Sequence, residues 1–160
     1  MSRRPRVLAL SSTGGHWVQL LRLAPAWDDC EVQYATTLAE SREQALAVAA
    51  ARGQPEPAFH RFTDANRWQK LRLLRQAAEL AWILVRVRPD VLVTTGAAPG
   101  YVAIRLGRLL GARTVWIDSV ANVEELSMTG ELAGPHAHLW LTQWPELARA
   151  GGPRFMGSVL

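Results

Sequence analysis

Short, nearly continuous apolar runs alternate along this chain with longer stretches of helical spacing. RVLALS at 6–11, EVQYAT at 31–36, DVLVTT at 90–95, RTVWIDS at 113–119 and AHLWLT at 137–142 read as strands, with a weaker strand over 57–62. Helical patterns fill 16–26, 39–51, 66–87 and 100–110, and Pro89 and Gly111 close the last two. Buried strands alternating with helices imply βαβ crossovers, so the predicted fold class is α/β: a Rossmann-like parallel sheet with helices on both faces. No linker, repeat or low-complexity stretch interrupts the pattern, and 160 residues suit a single domain over 1–160.

In open parallel sheets, ligands sit beyond the carboxyl ends of the strands, near the point where strand order reverses. The loops 11–16, 94–100 and 118–126 occupy such ends, and most of the unusual polar residues fall in them. Ser12-Thr13-Gly14-Gly15-His16 links the first strand to the first helix. Its glycines allow a sharp turn and close approach of a ligand, and the free amides and helix dipole there favour an anion. His16, at the helix start, is expected to stay neutral and able to take a proton. The same residues also read as a tight βα turn holding no ligand, with His16 only bonding the loop. The pattern is neither G-x-G-x-x-G nor a Walker loop, and Thr36-Thr37 stand where a ribose-binding acid would end the second strand. No nicotinamide or other cofactor is therefore expected.

The loop around Gly96, with Pro99 near the following helix start, leaves room for a ligand or another backbone. Asp118, Ser119 and Asn122 place a carboxylate, a hydroxyl and an amide at another strand end, where such groups can orient sugar hydroxyls or a base. Glu124 and Glu125 follow, but acids also suit a helix start.

Charge adds a second feature. Seven basic residues (61, 67, 70, 72, 75, 86, 88) against Asp64 and Glu79 give the stretch 61–88 more positive charge than the whole chain's +4. Leu71, Leu74, Ala78, Ala81, Trp82 and Val85 form one apolar face of its helix, and Leu73, Ala77, Leu80, Leu84 and Val87 a second. With Arg67, Trp68, Lys70, Arg72 and Arg75 at the front end, the helix suits docking on an anionic membrane surface. It reads equally as a core helix with a solvated basic start. Nucleic acid fits less well, because it leaves the glycine loops and apolar surface unexplained. The longest apolar run, 80–85, is far shorter than the ~20 residues needed to span a bilayer, and the start resembles no signal peptide, so an integral membrane protein is not expected. Cys30 is the single cysteine, which excludes a disulfide framework and fits a reducing compartment. No Asp-x-Asp pair or metal-ligand cluster occurs, so no metal is expected.

Several motifs in order along the chain resemble one family. Ser12-Thr13-Gly14-Gly15-His16-Trp17-Val18-Gln19-Leu20-Leu21-Arg22-Leu23 resembles the GGH-x-x-(E/Q)-L-L-x-L opening of the asparagine-linked glycosylation fourteen family and its bacterial PssD-like relatives. Leu126-Ser127-Met128-Thr129-Gly130 resembles its L-S-x-T-G element, and Gln143-Trp144-Pro145-Glu146-Leu147 its Q-W-P-E-L element. The ending, Phe155-Met156-Gly157-Ser158-Val159-Leu160, resembles its short tail.

That resemblance implies the amino-terminal, acceptor-side half of a GT-B glycosyltransferase such as MurG, split off as its own polypeptide. It implies a partner subunit carrying the carboxyl-terminal half, which binds a UDP-sugar, and an undecaprenyl-diphosphate-linked sugar as acceptor in bacterial exopolysaccharide or capsule synthesis. The expected place is cytoplasmic, on the inner face of the plasma membrane. By similarity to MurG, Ser12, Thr13, Gly14 and Gly15 would face the acceptor's diphosphate and His16 would deprotonate its hydroxyl in a metal-free inverting displacement. Trp144, Pro145, Glu146, Phe155 and Leu160 would meet the partner. A non-catalytic anchor that activates the partner, or a lone nucleotide-binding enzyme, are the competing readings.

Overall fold

The computed structural model describes residues 3–66 and 68–159. Seven strands, β1 (Arg6–Leu10), β2 (Glu31–Thr36), β3 (Ala58–Arg61), β4 (Val91–Thr94), β5 (Arg113–Ile117), β6 (Leu139–Thr142) and β7 (Arg154–Phe155), form one parallel sheet in the order β3-β2-β1-β4-β5-β6-β7. Five helices connect them: α1 (Gly15–Arg22), α2 (Ser41–Ala51), α3 (Lys70–Val87), α4 (Ala97–Leu109) and α5 (Met128–Ala133). The order reverses between β1 and β4, which makes their carboxyl ends the switch point of a Rossmann-like sheet.

Both faces of the sheet are covered, which is why its strands are apolar almost throughout. Leu8 and Leu10 point to one side, into a core with Leu80, Leu84, Ile104 and Trp116. Val7 and Ala9 point to the other, where Trp17, Leu20, Trp27 and Tyr34 pack. Trp17 and Trp27 both meet the Tyr34 ring edge to face.

Several boundaries differ from the sequence expectation, each for a local reason. The helix expected over 16–26 stops at Arg22, and a 3-10 turn, Ala24–Trp27, takes over because Pro25 cannot donate to a continuing α-helix. The helix expected from 66 starts at Lys70. Asn66 instead closes a turn, its side-chain oxygen accepting from Trp68 N and its carbonyl from Gln69 N. The helix expected from 100 starts three residues earlier, and Pro99 is tolerated because first-turn amides have no helical partner. Gly111 follows α4 with φ 86, the left-handed stop its position predicts. No acid-led helix begins at Glu124. Both glutamates are exposed in an irregular loop, and α5 begins at Met128. α5 and β7 have no sequence forecast: one is short and contains Gly130, the other has two residues.

The two apolar lines of α3 part company in the structure. Leu80, Leu84 and Val87 are buried in the core, while Leu71 (83% exposed), Leu74 (68%), Trp82 (61%) and Val85 (53%) face outward. The residues 71, 74, 78, 82 and 85 line up on one side of a 3.6-residue helix, opposite 76, 80, 84 and 87. Arg86 stacks over Trp82 on the outer face. Among the described residues, no helix is long and apolar enough to cross a membrane.

Candidate functional site

The switch point holds the residues that the sequence singles out. α1 begins after Gly14 and α4 after Gly96, and neither start has a side-chain cap or an acid in its first turn. Two sets of unpaired amides, each at the positive end of a helix, therefore stand side by side. Gly14 has φ 75 and Gly96 φ 121, conformations that disfavour any side chain. Ala97 adopts φ 65 without being glycine, so the start of α4 carries local backbone strain. Ser12 and Thr13 are half-buried, and a Cβ added at Gly14 or Gly15 would meet nothing within 4 Å, so this loop is open above.

His16 joins the two loops. Its Nδ1 donates to the Thr95 carbonyl at 2.8 Å, and Thr95 Oγ1 donates back to the His16 carbonyl at 2.7 Å. A carbonyl can only accept, so Nδ1 carries the proton and, in the neutral ring, Nε2 carries the lone pair. The ring lies so close to α4 that a Cβ at Gly96 would stand 3.1 Å from its Cε1. Gly96 thus takes part by making room for the imidazole.

Asp118, Ser119 and Asn122 lie at the end of β5, but their side chains serve the fold. Asp118 is 1% exposed. Its carboxylate accepts from Trp116 Nε1 (3.3 Å), Asn122 Nδ2 (3.3 Å), Ser127 N (2.9 Å) and Ser127 Oγ (2.5 Å). Ser127 in turn caps α5 by accepting from Gly130 N, and a Cβ at Gly130 would stand 2.6 Å from Asp118 Oδ1. The L-S-x-T-G element is thereby explained: the serine caps the helix and the glycine lets a buried carboxylate pass. Where these three residues are expected to face a ligand, Asp118 and Ser119 are buried with their polar atoms in internal hydrogen bonds, while Asn122 is half-buried and lends its Nδ2 to Asp118.

Gln19 and Gln143, which sequence reasoning leaves without a role, form a second buried network. Gln143 Nε2 donates to Gln19 Oε1 (2.7 Å) and to the Asp118 carbonyl (2.9 Å). Gln19 Nε2 donates to Ser119 Oγ and its Oε1 accepts from Val120 N. Gln143 Oε1 accepts from Val159 N, whose carbonyl oxygen takes a bond from Arg22. Trp144 is half-buried with its indole N–H on the Val120 carbonyl, while Pro145, Glu146 and Phe155 are exposed. Leu160 and Arg67 lie outside the described residues. Trp68, Lys70, Arg72 and Arg75 are exposed around the start of α3.

A family described as "Oligosaccharide biosynthesis protein Alg14 like" matches residues 7–158. The chain is 31% identical over 178 residues to the UDP-N-acetylglucosamine transferase subunit ALG14 of Eremothecium gossypii, covering 96% of this chain and 80% of that protein. The like-named subunit of Schizosaccharomyces pombe is 34% identical over 67 residues, 38% of this chain and 31% of that one. Among solved structures, Acinetobacter baumannii MurG superposes with a TM-score of 0.74 at 15% identity, covering 98% of this chain and 46% of MurG. A UDP-GlcNAc 2-epimerase of Methanocaldococcus jannaschii gives 0.61 at 11% identity, covering 86% of this chain and 39% of the enzyme. The chain spans less than half of either structure, and at these identities the likeness is one of fold. A family match over residues 7–158, with a relative 31% identical over 96% of this chain, leads to one conclusion: the chain belongs to the Alg14-like oligosaccharide biosynthesis family.

Proposed function

We propose that this chain is the acceptor-side subunit of a UDP-sugar-dependent glycosyltransferase, completed by a partner that binds the donor. The observation that carries this reading is the His16–Thr95 clasp, which leaves Nε2 as an acceptor between two uncapped helix starts. The acceptor's hydroxyl oxygen attacks the anomeric carbon of the donor sugar as its proton passes to Nε2. The bond from that carbon to the diphosphate oxygen breaks, and UDP leaves on the partner. The dipoles of α1 and α4 stabilise the negative charge developing on the attacking oxygen. Exposed Pro145, Glu146 and Phe155 are the surface offered to the partner. The outward face of α3, with Lys70, Arg72 and Arg75, is the surface offered to the inner face of a bacterial plasma membrane, where a lipid-linked acceptor of exopolysaccharide or capsule synthesis is reached.

The test is His16→Ala in the reconstituted pair, with complex formation measured separately. Loss of a general base lowers the rate about 10²–10⁴-fold with the complex intact. A rate unchanged within about twofold would remove His16 from the chemistry. It would favour the second reading, a platform that anchors and activates its partner, to which the long outward apolar face of α3 already lends support.

A further inference from the structure

Among the described residues, Trp116 is the largest side chain to be completely buried. In the sheet it stands opposite Thr94, beside the loop that carries the partner of His16. Three glycines from separate segments close on its ring. A Cβ at Gly96 would lie 3.7 Å from Trp116 Cζ2, one at Gly100 3.2 Å from Cζ3, and one at Gly130 3.1 Å from Nε1. The same Cβ position at Gly96 is 3.1 Å from His16 Cε1 and 3.2 Å from its Nδ1. The Gly96 backbone is therefore held against two rings, the imidazole and the indole, and only a residue without a side chain lets both approach.

The indole is fixed at its other end. Nε1 donates to Asp118 Oδ1 at 3.3 Å, and that carboxylate is held in turn by Asn122 Nδ2 and by Ser127 N and Oγ. A buried ring whose N–H is tied has one orientation, and a close-packed interior passes a displacement on to its neighbours. Gly96 and Ala97, with φ 121 and 65, hold conformations that persist only where the surroundings impose them. The carbonyl that accepts from His16 Nδ1 belongs to the peptide unit joining Thr95 to Gly96, so a shift of Gly96 turns that acceptor. We infer that Trp116 is a positioning residue for the proton transfer: anchored on Asp118, it sets where Gly96 lies and so where the Thr95 carbonyl aims the imidazole. Through this one ring, the buried carboxylate and the serine that caps α5 act on the chemistry without touching the acceptor. The inference rests on the reading of His16 as the base and extends it to residues behind the site.

The test pairs Trp116→Phe with Trp27→Phe. Each exchanges a buried indole for a smaller ring and deletes one indole hydrogen bond, to Asp118 in the first and to the Tyr34 hydroxyl in the second. Trp27 lies in the 3-10 turn after α1, in the core on the other face of the sheet, so it controls for lost stability. Nitrogen chemical shifts of the labelled His16 ring are read in the full chain, and kcat and donor KM in the reconstituted pair, corrected for the folded fraction from urea unfolding. In Trp116→Phe the ring signals are expected to move and kcat to fall about tenfold or more, because small misplacements of a catalytic group are costly. The donor KM, set on the partner, should stay within about twofold. Trp27→Phe should lose stability alone. Unmoved His16 signals, or equal kinetic losses in the two variants, would overturn the inference.

His16→Ala separates this inference from the reading beneath it. If that variant keeps its rate while Trp116→Phe moves the ring signals, the base falls and the placement of the ring by Trp116 stands. If His16→Ala loses its rate while Trp116→Phe leaves the signals in place, the base stands and the positioning role falls. Should Trp116→Phe not fold, Gly130→Ala replaces it, keeping the indole but forcing a Cβ to 3.1 Å from Nε1 and 2.6 Å from Asp118 Oδ1. Moved His16 signals in that variant support the relay, and unmoved ones overturn it.

Discussion

Gln143 donates to Gln19 across 124 residues of sequence, and this 2.7 Å bond ties α1, the end of β5 and the tail at Val159 into one buried network. Replacing Gln143 by leucine leaves the Asp118 carbonyl and Val159 N without their buried partner, at a cost of about 1–3 kcal/mol. Urea unfolding of Gln19→Leu, Gln143→Leu and the double variant is expected to show a coupling of about 0.5–3 kcal/mol. Additive losses would mean the two amides act independently.

His16 is expected to be the Nδ1–H tautomer when its ring is neutral, because the Thr95 carbonyl demands a donor. Nitrogen chemical shifts of the labelled ring at alkaline pH read this directly. A protonated Nε2 would contradict the assignment and with it the proposed direction of proton transfer.

Gly96→Ala combines a positive φ with a Cβ 3.1 Å from the His16 ring. It is expected to cost about 1–3 kcal/mol of stability and to displace the imidazole. Transferase activity of the reconstituted pair should fall further than the loss of folded protein accounts for. Activity that merely follows the folded fraction would show that the ring position is not critical.

Gly130→Ala and Ser127→Ala probe the buried carboxylate from two sides. Loss of the serine cap is expected to cost about 1–2 kcal/mol, read from thermal or urea unfolding. Gly130→Ala should cost more, since its Cβ would meet Asp118 Oδ1 at 2.6 Å with Trp116 close behind. Equal small losses would mean the loop relaxes freely.

These residues also mark what sequence can disclose. The glycine loop and His16 are legible because the signal is local: a strand end, two glycines and a helix start within a few residues. The α/β class follows from apolar runs that only a sheet covered on both faces requires. Asp118 is legible as unusual but not in its use, since a carboxylate at a strand end has one signature whether it meets a ligand or Ser127. Gln19 and Gln143 are marked only as positions in resembling motifs, with nothing to say what they do. An amide is chemically bland, and its role depends on partners that only the folded chain brings near.

Glu79 supplies the pH dependence. Burial raises its carboxyl pKa, but the hydrogen bonds from Arg75 and Thr63 outweigh that and hold it below the ordinary value of 4.5. A depressed folded pKa contributes stability that is whole above the ordinary value and is lost as pH falls through the lower one. Glu79→Gln should therefore flatten the acid limb of stability measured by urea unfolding from neutral pH downward. An unchanged acid limb would mean the contacts to Thr63 and Arg75 are energetically idle.

The opposed faces of α3 separate two properties that usually move together. Leu80 and Leu84 hold the fold, while Leu71, Leu74 and Trp82 face outward, Trp82 beneath the Arg86 guanidinium. Solubility of the purified chain is therefore set by residues that contribute little to its melting temperature. Self-association in water can be relieved by polar substitutions on the outer face, or masked by detergent, without changing how firmly the domain is folded. Yield and thermal stability are then separate measures of this protein, and improving one says nothing about the other.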